Sequence, residues 1–93
     1  MTVAFEGRVR IPEDVLVSDL DGESVILNLK TESYFGLDEV GARMWAAVTT
    51  ADSIEAGVTA LTAEFDVEPS ELRKDLSELL DTLLEHGLLE LAP

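Results

Sequence analysis

The sequence predicts an α+β protein: a three-stranded antiparallel sheet followed by three helices. Two β-prone runs flank Asp21-Gly22-Glu23, and Asp-Gly between such runs is among the strongest short-range hairpin signals. From residue 38 onward the apolar residues recur at helical rather than alternating spacing. Ser53, Pro69 and Gly87 then punctuate that half into separate segments.

The first strand is expected over residues 15–20, "VLVSDL", and the second over 24–30, "SVILNLK". In the second, Val25, Leu27 and Leu29 alternate with Ser24, Ile26, Asn28 and Lys30, so each set lies on its own face of the sheet. A tight connection at Thr31-Glu32 returns the chain into a third strand, Ser33-Tyr34-Phe35-Gly36-Leu37. That strand sits at an edge and lacks the Lys or Pro with which sheets usually blunt an exposed edge. If Phe35 and Leu37 face the helices, Tyr34 points away from them. Upstream, Val9 and Ile11 before Pro12 form a short extended arm.

Asp38 is placed to cap a helix in which Val40, Met44, Trp45 and Val48 recur at helical spacing. Asp52 and Ser53 open a second helix with Ile54, Val58, Leu61 and Phe65 in one stripe. Gly57 inside it costs about 1 kcal/mol relative to Ala, so this helix depends on tertiary contacts. Pro69 starts a third helix, where proline is tolerated and the nearby acids favour the positive end of the dipole. Leu72, Leu76, Leu79, Leu80, Leu83 and Leu84 form its apolar face, Gly87 stops it, and "LLEL", 88–91, covers the bottom of the core. This order is winged-helix-like, and the 93 residues read as one domain over 1–93 with 1–8 as an arm.

Charge and composition exclude most function classes. The net charge is −14, from 20 acidic and 6 basic residues, which opposes binding to phosphate backbones and anionic lipid. Residues 1–37 hold 7 acids and 3 bases, and 38–93 hold 13 and 3, so a charged partner meeting the helices should be basic. A helix-turn-helix DNA regulator is the reading this disfavours. Its recognition helix would carry Arg73 and Lys74 against Glu71, Asp75, Glu78, Asp81 and Glu85.

There is no cysteine and a single histidine, His86, so thiolate sites and most acid–base constellations are unavailable. Acidic pairs such as Asp75 with Glu78 read as a solvated helix flank, His86 as a cation at a helix C-terminus, and Met44 and Trp45 as core. Neither a signal peptide nor a membrane span is expected, so the default is a soluble cytoplasmic protein, and catalysis by carboxylates alone stays formally open. A small structural subunit is a further alternative. What the open strand and Leu-rich helix together favour is a groove for an extended peptide.

The stretches "VILNLKTESYFGLDEVGARMW" and "SIEAGVTALTAEFDVEPSELRKDLSELLDTLLEHGLLE" resemble the PqqD-like family, the recognition elements that bind leader segments of ribosomally made, modified peptides. Within that family "YFGLDEVGARMW" is most similar to the stand-alone leader-binding proteins of lasso-peptide clusters, with the pyrroloquinoline quinone peptide chaperones second. The resemblance implies that a leader docks as an extra antiparallel strand on the third strand, against the third helix. Carried over, the strand supplies Ser33, Tyr34, Phe35, Gly36 and Leu37, and the helix Leu72, Asp75, Leu76, Leu79, Thr82 and Leu83. It further implies delivery of the precursor to a leader protease and cyclase, or to another modifying enzyme.

Overall fold

The computed structural model describes residues 7–92. The elements follow in the order β1 (Val9–Arg10), β2 (Val15–Leu20), β3 (Glu23–Asn28), β4 (Tyr34–Leu37), α1 (Glu39–Thr50), α2 (Ile54–Glu64), α3 (Pro69–Glu85) and β5 (Glu90–Leu91). The main sheet has the order β2-β3-β4 and is antiparallel throughout. The expected sheet-then-helices architecture is therefore the observed one.

The β2–β3 hairpin turns through Asp21 (φ 52°) and Gly22 (φ 86°), the left-handed pair that a two-residue hairpin loop requires. The β3–β4 connection is longer than the sequence suggests. Asn28 Oδ1 accepts from the backbone N–H groups of Lys30 and Thr31 at 2.9 and 3.1 Å, so the chain leaves the ladder at Asn28 rather than at Lys30. Glu32 (φ 63°) completes the reversal, and pairing resumes at Tyr34.

The alternation in β3 is present, but the face packed on the helices carries Ser24, Ile26 and Asn28, all buried, whereas Val25 is exposed. Two polar residues are tolerated there because both are bonded. Ser24 Oγ donates to Asp19 Oδ1 at 2.5 Å and Asn28 Nδ2 to the Gly87 carbonyl at 2.8 Å. On β4, Leu37 is buried, Phe35 packs against the core and Tyr34 is 72% exposed, as the alternation requires.

Asp38 Oδ1 caps α1 through the Gly41 N–H at 2.8 Å, and Ser53 Oγ caps α2 through the Ala56 N–H at 3.0 Å. Gly57 lies where α2 crosses α1, since a Cβ there would stand 3.2 Å from Val48 Cγ1 and 3.3 Å from the Ala47 carbonyl oxygen. The helix-weakening glycine is thus what lets the two helices touch. Pro69 opens α3, and Leu72, Leu76, Leu80 and Leu83 are buried in one core with Ile26, Trp45, Val48, Ile54 and Leu61. Leu88 and Leu89 close its base, each almost wholly buried.

Pairing of the chain ends was not legible in the sequence. β1 lies antiparallel to β5, with Arg10 Nε 2.5 Å from Glu90 Oε1. The backbone carbonyls of Gly7 and Arg8 accept from Ile54 N–H and Ala92 N–H at 2.9 and 2.8 Å. The rest of the expected N-terminal arm, residues 1–6, lies outside the described residues.

Candidate functional site

β4 is an edge strand, and the register decides which of its backbone groups face outward. Asn28 N–H donates to the Ser33 carbonyl at 2.8 Å, and in antiparallel pairs bonded and non-bonded positions alternate. Phe35 and Leu37, opposite Ile26 and Ser24, therefore bond inward. Tyr34 and Gly36 are left with N–H and C=O directed at the open edge. A Cβ placed on Gly36 would meet nothing within 4 Å.

The second wall is α3, tied to the sheet at its C-terminal end. Asn28 reaches the Gly87 carbonyl, and the Phe35 and His86 rings lie 6.5 Å apart at a 54° tilt. Gly87, at φ 71°, supplies the left-handed residue that lets the helix end there. His86 Nδ1 is also 2.9 Å from the Thr82 carbonyl oxygen, which fixes the ring against the last helical turn. His86 thus has a packing role beside β4, which its reading as a helix-terminal cation did not foresee.

From His86 an accessible stripe runs back along α3 through half-buried Thr82 and Leu79 to exposed Asp75. At Asp75 it meets a depression of about 180 Å³ lined by Val40, Met44, Phe65, Val67, Glu71 and Leu72. Val40 lies in the first turn of α1, immediately beyond β4. The stripe therefore adjoins Phe35 at one end and the exit from β4 at the other.

The six helix residues expected at the wall divide into two sets. Asp75, Leu79 and Thr82 are accessible, whereas Leu72, Leu76 and Leu83 are 3%, 0% and 0% exposed and belong to the core beneath them. Residues the sequence reading missed are Asn28, which sets the turn and the helix tie, and the Val40, Met44 and Val67 lining. A polar side chain in line with buried Ile26 was the signal for the first. Nothing in the sequence joined the others, which come from two separate segments, α1 and the α2–α3 connection.

Among the described residues no group of three or more potential metal ligands comes together, and no helix is long and apolar enough to cross a membrane. Arg73 pairs with Glu55 and Arg43 with Glu64, so both guanidinium groups are engaged between helices.

Fold and site together define a class: a small winged-helix-like module with an open sheet edge facing a helix stripe. The comparisons make it particular. The model of the family "Coenzyme PQQ synthesis protein D (PqqD)" matches residues 23–89. The structure of TbiB1 in complex with the TbiA(beta) leader peptide is similar at 37% identity and TM-score 0.80, over 87% of this chain and 94% of that one. A lasso peptide synthetase B1 complexed with its leader peptide shares the fold at 23% identity and TM-score 0.76, over 92% of this chain and 99% of that one. No curated protein matches. The chain belongs to the PqqD family.

Proposed function

We propose that this chain is a leader-peptide recognition domain over residues 1–93, which binds the leader of a ribosomally made precursor by strand addition and presents it to a processing enzyme in lasso-peptide assembly. The observation that carries this is the edge itself. Tyr34 and Gly36 offer outward N–H and C=O groups on the strand whose Phe35 packs near His86 at the end of α3, so a peptide strand added there gains main-chain bonds from β4 and side-chain contacts from α3. The TbiB1 relative, matched along nearly its whole length and named for its leader complex, supports the same reading.

In this proposal Ser33 to Leu37 form the pairing edge, with Tyr34 and Phe35 flanking the docked strand on opposite faces. Asp75, Leu79 and Thr82 contact the leader's side chains. Leu72, Leu76 and Leu83 hold those three in place from below. The domain performs no chemistry, needs no cofactor and works in the cytoplasm on partners other than nucleic acid or membrane. Because the matching family model is described by quinone cofactor synthesis, the precursor of that pathway is the second candidate ligand.

Calorimetry with synthetic leaders of both kinds tests the assignment. A lasso leader is expected to bind with a dissociation constant between nanomolar and low micromolar, on the order of −8 to −12 kcal/mol. Absence of heat with the lasso leader, or preference for the quinone precursor, overturns it.

A further inference from the structure

His86 is the single imidazole of the chain, and its surroundings fix which ring nitrogen carries the proton. Nδ1 stands 2.9 Å from the Thr82 carbonyl oxygen. A carbonyl can only accept, so in the neutral ring Nδ1 holds the hydrogen and Nε2 is left as a bare acceptor. Because Nδ1 is directed back at the last turn of α3, Nε2 points away from the helix. His86 is exposed, and among the described residues no donor meets that second nitrogen.

Register brings a leader side chain to the same place. Phe35 bonds inward to Ile26, so on its open side it faces a strand partner in a non-bonded pair, the closer antiparallel arrangement at about 4.5 Å between Cα atoms. The side chain of that partner lies on the same face of the sheet as Phe35. Since the Phe35 ring is 6.5 Å from the His86 ring between centroids, the leader residue opposite Phe35 is delivered beside both rings. Its neighbours in the leader turn to the other face.

We infer that His86 is a specificity residue of the leader site, whose Nε2 accepts a hydrogen bond from a hydroxyl or carboxamide on the leader residue opposite Phe35. This rests on the leader-binding reading and adds to it the chemical class of one leader side chain. A carboxylate in that position has no proton to give and meets the lone pair of Nε2, with Glu85 and the carbonyl end of α3 adding to the repulsion. A hydrocarbon of the same shape forfeits the bond.

Thr and Val share a branched shape and both favour strands, so exchanging them changes the donor and little else. A synthetic lasso leader carrying Thr and then Val at each position of its docked stretch is titrated into wild type and into His86→Phe, which keeps a ring at that position but has no acceptor. In wild type one position is expected to prefer Thr over Val by about fivefold, and Asn over Asp by at least as much. In the variant that Thr preference is expected to vanish.

The single histidine gives a second reading that needs no variant. Nitrogen-15 NMR at about pH 8, where imidazole is neutral, is expected to show the proton on Nδ1 in the free domain. The Nε2 resonance should then move further on binding the Thr leader than the Val leader. A proton on Nε2 in the free domain, equal Nε2 shifts with the two leaders, or a Thr preference that is absent or survives in a folded His86→Phe each overturns the inference. If the variant is unfolded by circular dichroism, the NMR comparison decides alone. Failure of wild type to bind any of the leaders defeats the leader-binding reading instead.

Discussion

The main sheet ends in two open strands, β2 and β4, and they differ in what stands beside them. β2 is the longer, six residues against four, and by length alone would be the better template for another strand. Its inward face carries Asp19, whose carboxylate accepts from Ser24 at the sheet's margin, and a charge turned inward is a recognised guard against edge pairing. β4 carries no charge, and α3 supplies a wall next to it. An edge becomes a specific site when side chains beside it can read what pairs there; without them it is a surface to be defended.

Proline separates the edges most sharply. Register directs the Gly36 N–H outward from β4 and, by the same alternation, the Val17 N–H outward from β2, because Leu16 and Ser18 bond to Leu27 and Val25. Proline at either position removes no bond within the sheet. Gly36→Pro is expected to abolish measurable leader binding in calorimetry while retaining the circular dichroism of the fold. Val17→Pro should leave affinity unchanged, and equal losses in both would dissolve the distinction between the edges.

The next effect concerns the tie between edge and wall. Asn28→Ala removes three hydrogen bonds, to Lys30, Thr31 and Gly87. It should lower stability by about 2 to 4 kcal/mol in chemical denaturation and weaken leader binding even where the fold is fully populated. Unchanged affinity in the folded variant would show that the groove holds its shape without the tie.

Asp75→Ala probes the wall alone. Asp75 is exposed at the mouth of the apolar depression, so its loss should weaken leader binding by roughly 1 to 3 kcal/mol with little change in melting temperature. A variant that binds normally moves the contact elsewhere along α3. The smallest effect is ionic. Residues 38–93 carry 13 acids and 3 bases, so affinity for a leader with basic residues should fall as salt rises from about 0.05 to 0.5 M. Insensitivity to salt would leave apolar anchoring as the main term.

Particular residues show what a sequence can and cannot reveal about such a site. The helices, their caps at Asp38 and Ser53, and the Asp21-Gly22 turn were legible because each rests on local chemistry. The division of α3 was not. Leu76 and Leu79 look alike in a leucine-rich pattern, yet one is fully buried and the other only partly, because the core covers only part of the helix's apolar arc. The outward direction of Gly36 rather than Phe35 was equally hidden, since it depends on Asn28 and Ser33 being a bonded pair. The sheet's inward face misleads as well. Val25, Leu27 and Leu29 are the more apolar set, but the helices cover Ser24, Ile26 and Asn28.

Asn28 bonds at once to the turn that leads into β4 and to the carbonyl that ends α3. A single side chain therefore joins the two jaws of the groove at one end, like the rivet of a calliper, while the Asp75 end borders the apolar depression lined by Val40, Met44, Phe65 and Val67. Opening at that far end should be easier than at the rivet. A leader would then be gripped first where Phe35 meets His86 and gauged for size along the rest, so that bulky residues are admitted near Asp75 and refused near Asn28.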